Sequence, residues 1–159
     1  MKGLYFSISY NLNNGTTSTA NPTTYTVENL PITLNNPSKE GYTFLGWTGS
    51  NGTIPSTSVT ITKGSTGDKV YVANWTANTY TIVFDGYESL NITASYESSV
   101  TAPTAPTKTG YTFGGWYYDS DCVNQCKPGT NLSSNITLYA KWTDIRVELS
   151  FEPFRKGYL

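Results

Sequence analysis

The sequence predicts a mainly β protein built from two small tandem units, and three observations carry that expectation. Strand and turn formers dominate, with 13 tyrosines, 4 tryptophans and 14 glycines against a single methionine. A block of residues recurs further along the chain almost unchanged. The segments that flank each copy alternate apolar and polar residues with the period of a strand.

The recurrence decides the organisation, because self-similarity at a fixed period outranks any local reading. Residues 37–47 read PSKEGYTFLGW and residues 106–116 read PTKTGYTFGGW, identical at 8 of 11 positions and 69 residues apart. VYVANWT at 70–76 matches TLYAKWT at 137–143, now 67 residues apart. Each copy opens on an alternating strand, with Phe6, Ile8 and Tyr10 on one face in the first and Tyr80, Ile82 and Phe84 in the second, an offset of 74. Falling offsets mean that the connecting loops differ in length while the matched blocks are kept. The units are therefore expected at residues 4–76 and 77–143, joined by the short polar link TANTY. Aligned on the closing tryptophans, Val147, Leu149 and Phe151 fall on Tyr80, Ile82 and Phe84. The tail 144–159 is thus read as the start of a third repeat or a cap strand, although any amphipathic strand would match as well.

Each element has a local reason. The polar connections 11–36 and 85–105 hold only short alternating pieces, TYTV and NITASY, and Pro22, Pro31, Pro37, Pro103 and Pro106 exclude long helices there. Gly41 and Gly110 precede Tyr-Thr-Phe and predict a turn of positive φ feeding a strand. Tyr42 and Phe44 then share one face of that strand, as Tyr111 and Phe113 do in the second copy. Gly46 and Gly115, each just before a tryptophan, predict a bulge that re-aims the large ring. Tyr42, Phe44, Trp47, Trp75, Tyr111, Phe113, Trp116 and Trp142 are read as structural core, since so small a domain depends on a few large aromatics. The other reading, an aromatic platform that stacks on sugar rings, turns on their exposure.

These residues carry a resemblance. The pattern P-[ST]-K-x-G-Y-T-F-x-G-W, followed after a variable loop by [LV]-Y-x-A-x-W-T, resembles the Listeria–Bacteroides repeat, the internalin-type B repeat of bacterial surface proteins, over about residues 4–143. The resemblance implies two β-grasp-like (ubiquitin-like) domains of small α+β type with at most a short helix. It also implies an extracellular place on the cell surface or cell wall, as in Gram-positive bacteria. Two departures stand out: FDGYESLN replaces a glycine-rich turn in the second copy, and a cysteine-containing insertion follows Trp116.

Composition narrows the function further. A net charge of −1 with 13% charged residues gives no electrostatic reason to expect nucleic acid or an anionic membrane. No stretch reads as a membrane span, and MKGLYFSISY lacks a signal peptide's apolar core, so a fragment of a longer secreted protein is expected. With no histidine in the chain, triads and ordinary zinc sites lose their central member. No catalytic, cofactor or metal residues are therefore assigned, and an enzyme is not expected.

Cys122 and Cys126, in DSDCVNQCKPG, are read first as a local disulfide, then as two free thiols, and last as zinc ligands. Asp119 and Asp121 open like a calcium loop, but Val123 and Asn124 break the pattern. Lys39, Lys108 and Lys141 recur at matched or nearly matched positions and read as surface and strand-edge protection, or as weak attraction to anionic polysaccharide. The expected function is a repeat module of a surface protein, acting as spacer, stalk or adhesive domain. Its expected partners are a host-surface protein or glycan and the neighbouring repeats. A carbohydrate-binding module is the alternative.

Overall fold

A computed structural model describes residues 3–99, 101–127, 129 and 131–146. The expected tail strand of Val147, Leu149 and Phe151 lies outside the described residues. The strands in chain order are β1 (Phe6–Asn11), β2 (Thr24–Tyr25), β3 (Ile32–Thr33), β4 (Tyr42–Gly49), β5 (Gly52–Ser56), β6 (Thr60–Ile61), β7 (Lys69–Ala77), β8 (Thr79–Phe84), β9 (Ile92–Ser95), β10 (Tyr111–Tyr117) and β11 (Ile136–Asp144). Among the described residues helix is limited to the 3-10 turns Val27–Asn29 and Glu88–Leu90. The chain is mainly β.

Two compact units form. One runs to Tyr80 and adds Ala94–Ser98; the other takes Thr81–Thr93 and the chain from Ser99. The first carries a sheet of order β2-β1-β7-β4-β5 with β3 and β6 as a separate ribbon, and the second sheet has the order β10-β11-β8-β9. In each, the repeat's first strand pairs in parallel with its last: β1 with β7, and β8 with β11. Parallel neighbours need a long crossover between them, and the middle of each repeat supplies it. This pairing is the feature a β-grasp-like sheet requires.

The register reproduces the repeat alignment residue by residue. Tyr10 lies opposite Tyr71, and Phe84 opposite Leu138. Phe44 lies opposite Trp75 and Trp47 opposite Ala73, as Phe113 does with Trp142 and Trp116 with Ala140. Both glycine bulges are present: the ladder slips between Phe44 and Gly46 and between Phe113 and Trp116. Gly46 and Gly115 have φ of 133° and 107°, where a side chain is strained. The extra residue rotates the following tryptophan onto the inner face. Trp47 is 0% exposed and Trp116 5% exposed.

Burying such a ring removes roughly 150–250 Å² from water, on the order of 4–6 kcal/mol of gross transfer energy at ~25 cal/mol/Å². Trp47 is packed by Phe44 at 5.5 Å, Tyr10 at 5.8 Å and Tyr71 at 6.3 Å between ring centroids. Trp116 is packed by Phe113 at 5.4 Å and by Phe84, which holds the place of Tyr10, at 4.6 Å.

The two indoles differ in one respect. Trp47 Nε1 donates to Asn36 Oδ1 at 3.1 Å, whereas the buried Trp116 Nε1 finds no acceptor among the described residues. At the 69-residue offset, Asn36 corresponds to Ala105, an exposed position. Replacing Ala105 with asparagine supplies the missing acceptor. The expected gain is about 1 kcal/mol for the second unit, read as a higher denaturant midpoint at unchanged m-value. An unchanged midpoint in A105N would show that the indole is already satisfied.

Candidate functional site

The repeat motif itself is spent on structure. Lys39–Tyr42 and Lys108–Tyr111 form the same turn, closed by Tyr42 N–H to Lys39 O and Tyr111 N–H to Lys108 O, both at 3.1 Å. Its third residue is Gly41 or Gly110, with φ of 72° and 82°. The turn folds the lysine back over the tyrosine: Lys39 Nζ stands 3.9 Å from the Tyr42 ring centre, and Lys108 Nζ 4.3 Å from that of Tyr111. These matched lysines therefore lie over ring faces as cation–π caps, with Lys39 half-buried and Lys108 exposed. Lys141 Nζ lies 5.0 Å from the Tyr117 ring centre.

Among the residues read as core, Trp47 and Trp116 are buried, and Tyr42, Phe44, Trp75, Phe113 and Trp142 are half-buried. Trp75 is fixed further by its Nε1–H donating to Leu12 O at 3.0 Å. Tyr111 departs from the expectation at 37% exposure. The residue before it explains this: no described atom lies within 4 Å of a side chain built at Gly110, whereas Gly41 is covered by the ring of Tyr96. Sequence reading missed Tyr96. Its only signal was an aromatic ending the alternating piece NITASY.

A tyrosine cluster inside the first unit was also not anticipated. Tyr10 and Tyr71 stack with centroids 6.0 Å apart, and the buried Tyr25 donates its hydroxyl to Gly67 O at 2.7 Å. Burial, then the neighbouring Tyr71, pushes the Tyr10 phenol up to about 12. Burial, then the carboxylate of Asp68, raises Tyr25, and burial, then Tyr25, raises Tyr71. A phenol whose folded pKa lies above its unfolded value of about 10 favours the fold below that value. The contribution is lost as pH rises through the folded pKa. The first unit is expected to lose stability between about pH 10 and pH 12, followed as tyrosinate absorbance appearing together with unfolding. Free ionisation of all tyrosines near pH 10, with the fold intact, would contradict this.

The cysteine insertion forms an ordered loop. Asp119 accepts Val123 N–H at 2.9 Å and Asn124 N–H at 2.7 Å, one on each carboxylate oxygen. These backbone bonds hold its carboxyl below the usual range. Asp119 is thus committed to closing a turn. Asp121 joins it in no metal-type cluster, since the described residues contain no group of three such side chains.

Cys122 and Cys126 stand as free thiols, so the expected disulfide is not formed in this structure. Cys122 Sγ lies 3.7 Å from Ser120 O, and Cys126 Sγ 3.3 Å from the Tyr118 hydroxyl. A pocket of about 150 Å³ beside this loop is lined by Tyr118, Cys126, Leu132, Ser133 and Ile136, among others. That is well below the ~300–1,000 Å³ of ordinary small-molecule sites. No helix among the described residues is long and apolar enough to cross a membrane.

Comparison with known proteins agrees with this geometry. Residues 6–74 and 80–141 each match the model of the Listeria–Bacteroides repeat domain. The chain is 37% identical over 110 residues to Internalin H of Listeria monocytogenes, covering 67% of the chain and 20% of that protein. It is 35% identical over 120 residues to an Evansella cellulosilytica protein named as a Gly-rich membrane protein, covering 73% of the chain and 14% of that protein. A second Evansella cellulosilytica protein, also named for the membrane, is 34% identical over 111 residues, covering 67% of the chain and 17% of its own length. The chain thus spans a fifth or less of the length of these curated relatives.

Proposed function

Because the chain belongs to the Listeria–Bacteroides repeat family along both of its halves, we propose that it is a pair of repeat modules from a bacterial cell-surface protein. In this reading it acts as a spacer or an adhesive interaction domain and performs no chemistry. The observation that carries the reading is the use made of the motif. The matched residues build the same parallel first–last strand pair and the same bulged antiparallel partner twice, and both bulge tryptophans are packed into cores. The copies differ most in the connections between the matched strands, such as the Cys122–Cys126 loop, and loops are the part of a scaffold where binding specificity resides. A protein of the host surface, or a glycan, is the partner class this reading names.

Mild protease treatment of intact cells that make the parent protein tests the location. Peptides of this chain are expected in the released fraction. Their recovery only after lysis would overturn the surface reading. A tryptophan-fluorescence titration with soluble glycans separates the binding classes. A flat response is expected if the indoles are core, and a saturable shift would favour the carbohydrate-binding alternative.

A further inference from the structure

The turn that opens each repeat's long strand has two halves, and only the first unit shows both. There, Asn78 N–H donates to Gly41 O at 2.9 Å, and Tyr96 N–H donates to Asn78 O at 2.8 Å. Thr43 Oγ1 holds the Asn78 side chain at 2.6 Å. The Tyr96 ring lies flat against Gly41, where an added Cβ would meet its Cγ at 2.2 Å and both Cδ atoms at 2.3 Å. It also meets Tyr42 edge-on, with centroids 5.7 Å apart at 73°. The Ala94–Ser98 segment is a compact part of this unit, although residues 80–141 match the family as the second repeat. The first repeat's turn is therefore completed by sequence from the repeat that follows it.

In the second unit the receiving half is built to the same pattern. Ile145 N–H donates to Gly110 O at 3.0 Å, as Asn78 does to Gly41. Lys108 again covers the tyrosine face. Yet no described atom lies within 4 Å of a Cβ built at Gly110, Tyr111 is 37% exposed and Ile145 58% exposed. No described backbone amide donates to the Ile145 carbonyl.

We propose that the Gly110–Tyr111–Ile145 surface is a docking site for a tyrosine segment of the Ala94–Ser98 type, contributed by a further repeat. The chemistry is complementary in three respects. A glycine without Cβ leaves room for a ring face to lie on the backbone. The exposed edge of Tyr111 meets a second aromatic ring. The Ile145 carbonyl accepts the incoming amide, as Asn78 accepts that of Tyr96. Each repeat then offers one aromatic saddle and supplies one tyrosine, so the contact propagates in one direction along an array. It does not depend on where the parent protein resides.

The test is to extend the chain after Arg146 with a further copy of residues 80–143 and to follow Gly41 and Gly110 by NMR. Ring current from Tyr96 is expected to move a Gly41 Hα resonance upfield in the present chain, with Gly110 at an ordinary position. In the extended chain Gly110 is expected to move upfield likewise, and the Ile145 environment to change. Tyr96→Ala in the added copy alone should restore both. Gly110 resonances identical in the two chains, or an upfield shift that survives this substitution, would overturn the proposal. Should the added repeat fail to fold, as read from its own indole resonances, a peptide of residues 91–99 at millimolar concentration takes its place. Perturbation of Gly110, Tyr111 and Ile145 that vanishes with the Tyr96→Ala peptide supports the site, and none at these residues refutes it.

Discussion

Trp47→Ala is expected to lower the stability of the first unit by about 3–5 kcal/mol, the cost of deleting a large buried ring. The indole is wholly buried, and three aromatic neighbours, Phe44, Tyr10 and Tyr71, close around it. Truncation removes the packing that all three share and leaves Asn36 without the donor it accepts. A core this small supplies only roughly 3–5 kcal/mol, so the variant should be largely unfolded in that unit at 25 °C. Amide-exchange protection in β1, β4 and β7 reads this directly. A loss below about 1 kcal/mol would place the ring outside the core, since surface substitutions fall in that range.

Gly46→Ala is expected to be comparably damaging for a different reason. A Cβ there would stand 2.4 Å from Ser56 N, 2.5 Å from Ser56 C and 2.8 Å from Pro55 C, all backbone atoms of the neighbouring strand. Its φ of 133° adds conformational strain of about 1–3 kcal/mol. Overpacking against atoms that cannot rotate away adds about 1–3 kcal/mol more. The pairing of β4 with β5 should open, and the Asn74 amide that reaches Gly46 O and Thr48 Oγ1 should lose its place. Gly115→Ala is the control. The nearest atom there is the Nε2 end of the Gln125 side chain at 2.8 Å, which can swing aside, so strain alone remains. Denaturant midpoints should rank wild type above Gly115→Ala and Gly115→Ala above Gly46→Ala. Equal losses in the two variants would contradict the packing argument.

Much of this architecture was legible because the repeat states it twice. A residue kept at matched positions under changing loop lengths is constrained by the sheet, and Phe44, Trp47 and Trp75 declared their registers in that way. Glycine before an aromatic gave both the turn at Gly41 and the bulge at Gly46, since each needs a φ that other residues resist. Exposure was less legible. Tyr42 and Tyr111 share the run Gly-Tyr-Thr-Phe, and what separates their surroundings is Tyr96, a long-range neighbour of one alone. Cation–π capping by Lys39 and Lys108 depends on how the turn aims a flexible side chain, which strand periodicity does not encode. Asn36 beneath Trp47 was hidden for a similar reason. A single polar residue in a polar loop carries no pattern until its partner is placed.

One strand arrangement, with the repeat's first and last strands parallel, is built twice from one repeat motif. Cross-strand NOEs test it most directly. Parallel-ladder contacts joining Tyr10 to Tyr71 and Phe84 to Leu138 are expected in the same sample. Absence of either set, or an antiparallel pattern between β1 and β7 or between β8 and β11, would contradict it.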